Sequence, residues 1–104
     1  MSNRKVDSLI QFSKASRNIV FKESLPYEAE KGRIYLIIRA IDIAENSLHE
    51  LSKIKNIKVI SYENKDYLGI ILGKASVAYF GIKNSNIAKE IINILNEKGG
   101  IWNA

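Results

Sequence analysis

The chain has 104 residues, 46% hydrophobic and 26% charged, the profile of one globular domain built on a single core, so residues 1–104 are expected to form one undivided unit. It has no cysteine, which excludes disulfides, thiolate metal sites and cysteine nucleophiles, and the fold must rest on packing. Sixteen basic against eleven acidic side chains leave a net charge of +5, a field that draws polyanions if the excess gathers on one face. No apolar stretch is long enough for a signal peptide or a membrane span, and the cytoplasm is the expected address.

In residues 5–16, Val6, Leu9, Ile10 and Ser13 recur at the spacing of one helix face, with Ser2 or Asn3 available as N-cap. Ile19, Val20 and Phe21 make a brief strand. Residues 23–31 read as a second helix stopped at Gly32, and Pro26, which lacks the N–H that a helix interior needs, places its start near Ser24. Residues 34–41 are almost continuously apolar apart from Arg39, the pattern of a strand covered on both faces. Residues 42–54 return to helical spacing through Ile43, Ser47, Leu48, Leu51 and Ile54, and residues 58–60 give a third strand.

Asn64 can cap a helix over residues 65–72, residues 77–82 read as the last strand, and a final helix buries Ile87, Ala88, Ile91, Ile92 and Leu95 before Lys98 and the Gly99-Gly100 stop. Trp102, beyond that stop, is expected to pack back on the domain. Helices and strands thus alternate from end to end. This order predicts an α/β protein, a three-layer α/β/α sandwich around a four-stranded mixed sheet.

Gly69-Ile70-Ile71-Leu72-Gly73-Lys74-Ala75-Ser76 has some of the letters of a phosphate-binding loop. Only three residues separate its glycines, Ala75 stands where Ser or Thr should hold magnesium, and the glycines end a helix instead of joining a strand to one. Gly69 is better explained by close packing and Gly73 by helix termination. His49 is the only histidine and has no partner for a triad or metal cluster, and Asp42 reads as a cap or first-turn acid. No nucleophile, metal cluster or cofactor loop emerges, so the expectation is a binding protein without metal or cofactor and not an enzyme.

Two turns have functional interest. Residues 17–25 present Arg17, Lys22 and Ser24 where the second helix begins, and residues 72–76 present Lys74 beside backbone made accessible by Gly73 and Ala75. If the two are neighbours they make a clamp for phosphates and bases, and if not their cations are merely solvated.

Taken together, Leu9-Ile10-Gln11-Phe12-Ser13-Lys14-Ala15, Leu36-Ile37-Ile38-Arg39-Ala40-Ile41-Asp42, Lys65-Asp66-Tyr67-Leu68-Gly69, and Gly73-Lys74 followed by Ala75-Ser76-Val77-Ala78 resemble the family of ribosomal proteins L-seven-Ae and L-thirty-e, whose small bacterial homologues bind kink-turn RNA. The resemblance implies the same three-layer sandwich. It also implies that structured RNA, in a ribosomal or translation-associated setting, is gripped by the start of the second helix and the loop before the last strand, here Arg17, Lys22, Glu23, Ser24, Lys74, Ala75 and Ser76. The family's Gly-x-Asn-Glu, with a later Lys, is replaced: Lys22 stands at the Gly position, Ser24 at Asn, Leu25 at Glu and Glu28 at Lys. The substitutions favour an alternative, a protein-interaction or regulatory module on the same fold.

Overall fold

The computed structural model describes residues 2–97 and 102–103. Its elements run α1 Arg4–Ala15, β1 Ile19–Phe21, α2 Leu25–Glu30, β2 Leu36–Arg39, α3 Glu45–Ser52, β3 Val59–Ser61, α4 Lys65–Leu72, β4 Tyr79–Ile82, α5 Ser85–Glu97 and β5 Trp102–Asn103. The expected order is present throughout, with β5 added. Lys98 and Gly99-Gly100 lie outside the described residues, as does the Trp102 side chain.

The four expected strands form a mixed sheet in the order β1-β4-β2-β3, which β5 extends beyond β3. β2 and β3 are parallel, with Ile37 opposite Val59 and Ile38 opposite Ile60, and β4 runs antiparallel to both β2 and β1. β2, the most continuously apolar segment, is therefore central, and Leu36, Ile37 and Ile38 are fully buried.

Alternation along the strands divides the core between the two faces. Leu36, Ile38, Phe80 and Ile82 turn toward α1, α4 and α5, where they meet Ile10, Leu68 and Ile91. Ile37 and Tyr79 turn the other way, toward Leu25 of α2 and Leu51 of α3. The three-layer α/β/α sandwich follows.

Several elements are shorter than the apolar runs that announce them. Residues 34–41 contribute only four to β2, and the chain turns at Ile41 and Asp42 before α3 begins at Glu45. Asp42 consequently caps a different helix from the expected one: its Oδ1 accepts the Lys65 N–H of α4 at 2.8 Å. Asn3 is the N-cap of α1, its Oδ1 accepting from the Val6 N–H at 3.1 Å, and Asn64 caps α4 by accepting from the Tyr67 N–H at 2.7 Å.

Candidate nucleic-acid interface

Antiparallel pairing of β1 with β4 sets Phe21 opposite Phe80, so the exit from β1 and the entrance to β4 lie side by side. The two loops in question occupy those ends. Residues 22–24 leave β1 and residues 73–78 approach β4, and the condition for a clamp, that the two turns be neighbours, is met. The Lys74 Nζ stands 4.3 Å from the centroid of the Phe21 ring, a cation–π contact between the two loops. A cleft of about 330 Å³ opens between them, lined by Lys22, Glu23, Lys74 and Ser76 from the turns and by Lys65, Ala44 and Ser47 from the starts of α4 and α3.

Each turn is held by a glycine on the element behind it. A Cβ on Gly69 would come within 2.7 Å of the Lys74 carbonyl oxygen and 2.8 Å of that of Ala75, so the turn rests directly on the backbone of α4. Gly73 ends α4 at φ +71, in the left-handed region, and the Lys74 N–H donates to the Gly69 carbonyl at 2.8 Å. The Val77 N–H donates to the Lys65 carbonyl at 3.1 Å, closing the loop back onto the start of the helix. On the other side, a Cβ on Gly81 would lie 2.6 Å from the Leu25 Cδ1. The missing side chain on β4 is the seat for Leu25, and it fixes where α2 starts.

Leu25 is therefore a core residue, fully buried, while Lys22, Glu23 and Ser24 just before it are exposed. Lys22 Nζ lies 4.0 Å from Glu50 Oε1 of α3 with both side chains about half exposed, a pair worth little in free energy and readily opened. Ser24 makes no side-chain cap for α2. Glu28 faces away from the cleft toward Arg33 and Lys83, at 3.4 Å and 3.9 Å.

Arg17 is not brought to this place. It precedes Ile19, which pairs with Ile82 at the opposite end of β1 from Phe21, and it sits in a left-handed turn at φ +63. The sequence missed Lys65 and Phe21. Lys65 carried a signal: a lysine in the first turn of a helix opposes the helix dipole and costs stability there, which an anion held at that position would offset. Phe21 carried none, since strand aromatics are ordinary core residues.

Two tyrosine clusters stiffen the surroundings. The Tyr62 hydroxyl donates to Asp7 Oδ1 at 2.6 Å and accepts from the Asn3 N–H at 2.7 Å, and the Tyr67 hydroxyl donates to the other Asp7 oxygen. Burial first, and then the Asp7 carboxylate, push the Tyr62 phenol far above its ordinary value. For Tyr67 the bond to Asp7 is the leading cause of an upward shift. The start of α1 is thus tied to the start of α4, where Lys65 stands. Tyr79, nearly fully buried, is pushed up to about 12 by burial and then by Glu50 and Glu23, so its hydroxyl remains a donor, 3.4 Å from Glu50 Oε1.

No known family model matches the chain, and no curated protein sequence does. Solved structures do share its fold. A Bacillus halodurans protein of unknown function superposes with a TM-score of 0.74 at 18% identity, over 90% of this chain and 99% of its own. The Giardia lamblia 15.5kD RNA binding protein superposes with a TM-score of 0.65 at 14% identity, over 93% of this chain and 92% of its own.

Proposed function

We propose that this chain binds structured RNA, of the sharply bent kink-turn kind, in a ribosomal or translation-associated setting. The observation that carries the reading is the meeting of Lys22, Lys65 and Lys74 around one cleft, three cations converging from three elements of a chain whose net charge is +5. The fold shared with an RNA-binding protein from Giardia adds support. In this reading the three lysines hold phosphates, while the Ser24 and Ser76 hydroxyls reach sugar or base edges. Ala75 packs against an extruded nucleotide, and Glu23 accepts a hydrogen bond from an exocyclic amino group. The site has no part for Arg17.

A protein partner is the competing reading, which an exposed apolar patch including Leu25, Tyr27 or Trp102 would favour. Leu25 is buried and adds nothing to such a patch, whereas Tyr27 is exposed, with the Lys31 Nζ 5.4 Å from its ring centroid. The Trp102 side chain lies outside the described residues.

The test is a titration against a kink-turn RNA and a straight duplex of equal length at two salt concentrations. The proposal expects preference for the bent RNA, affinity that falls as salt rises, and weaker binding by Lys22→Ala and Lys74→Ala. Equal, weak binding to both RNAs would overturn kink recognition, and no binding at low salt would overturn RNA recognition altogether.

A further inference from the structure

The cleft does not end at the two turns. Lys22, Glu23 and Tyr79 also line a larger groove of about 910 Å³ that continues between α2 and α3. Its floor is apolar, made by Pro26, Ala29, Ile34, Ile54 and Ile57, and Lys53 and Lys55 stand at its α3 end. Glu23, Glu30 and Glu50 line the same groove, so three acidic residues stand with the three lysines Lys22, Lys53 and Lys55 around an apolar bed. A double helix has no face for such a bed, because its bases are stacked inside. A single strand does: its base faces lie on apolar surface, its exocyclic amino groups donate to carboxylates, and its phosphates seek ammonium groups.

From the continuity of groove and cleft we infer that the α2–α3 groove takes a single-stranded extension of the RNA held at the cleft, which leaves the protein past Lys53 and Lys55. The inference rests on the RNA-binding reading of the cleft and adds a second, separable contact to it. Asn56, in the left-handed region at φ +65, turns the chain between these lysines and β3. Lys53 and Lys55 are exposed, so their removal tests binding without disturbing the core.

The experiment compares a bent RNA without a tail with the same RNA carrying a tail of about four nucleotides, placed at the 5′ or the 3′ end in separate molecules. The proteins are the wild-type chain, Lys53→Ala/Lys55→Ala, and Lys5→Ala/Lys89→Ala, which removes equal charge from exposed sites on α1 and α5. One of the two tails should tighten wild-type binding roughly tenfold, and the groove variant should lose that gain together with about 1.4 of the log–log salt slope, two phosphate contacts at the single-strand rate of about 0.7 each. Binding of the tailless RNA should be unchanged in the groove variant, and the α1/α5 control should keep the gain. Tailless binding with no gain from either tail, or a gain lost equally in both variants, overturns the groove and leaves the cleft standing. Failure of every RNA to bind overturns both.

Discussion

The two faces of the sheet are built to different standards. On one, α1, α4 and α5, with 12, 8 and 13 residues, bury Val6, Ile10, Leu68, Leu72 and Ile91 completely. On the other, α2 and α3, with 6 and 8 residues, leave the groove open between them. The closed face supplies the stability, and the thin face, which it holds in place, can keep clefts that a fully packed layer would have filled. The candidate interface lies along the rim where the two meet, with its cations drawn from both.

The comparison breaks first in the core. Ile91→Ala, with no exposed surface in the native protein, should cost about 2–5 kcal/mol in denaturant unfolding. Ile54→Ala, in the floor of the open groove and only partly buried, should cost less than Ile91→Ala, because part of its side chain stays in water and the open side of the groove gives it no packing partners to lose. Equal losses would mean that the second face is as tightly packed as the first.

Gly69→Ala sharpens the contrast between stability and binding. Its Cβ would meet the Lys74 and Ala75 carbonyls at 2.7 and 2.8 Å, so the turn must lift from α4 at a cost of about 1–3 kcal/mol. RNA affinity should fall by more than that of a comparably destabilised core variant, as read by titration well below the unfolding midpoint. Lys74→Ala should leave stability nearly untouched and reduce the salt slope of binding by about 0.9. Arg17→Ala should change neither.

Alkaline unfolding gives a smaller effect. Tyr79 titrates near 10 in the unfolded chain and about 12 in the folded one, so its protonated form contributes stability in full below pH 10 that is lost as pH rises through 12. Tyr62, also shifted upward, acts in the same direction. Thermal unfolding of Tyr79→Phe should therefore show a shallower decline above pH 10 than the wild type, and an unchanged decline would remove Tyr79 from the account.

The layers were legible because hydrophobic periodicity records which face of each element is buried, and the continuous run around Leu36, Ile37 and Ile38 has the pattern of a strand covered on both faces. The site was legible in halves. Lys22, Ser24, Lys74 and Ser76 stand in turns whose composition marks them, but only the antiparallel register of Phe21 with Phe80 brings those turns together, and register is not written in either turn. The same register sends Arg17 to the far end of β1. Leu25 looked like a lost recognition residue because the cavity above Gly81 that it fills belongs to a strand more than fifty positions later.

The most direct test of the central claim, that the two turns act as one RNA-binding surface, is amide chemical-shift mapping of the full chain with a bent RNA. Perturbations should cluster at residues 22–24, 44–47, 65 and 74–78, and leave residues 16–18 unmoved. Shifts confined to one turn, or centred around Arg17, would contradict it.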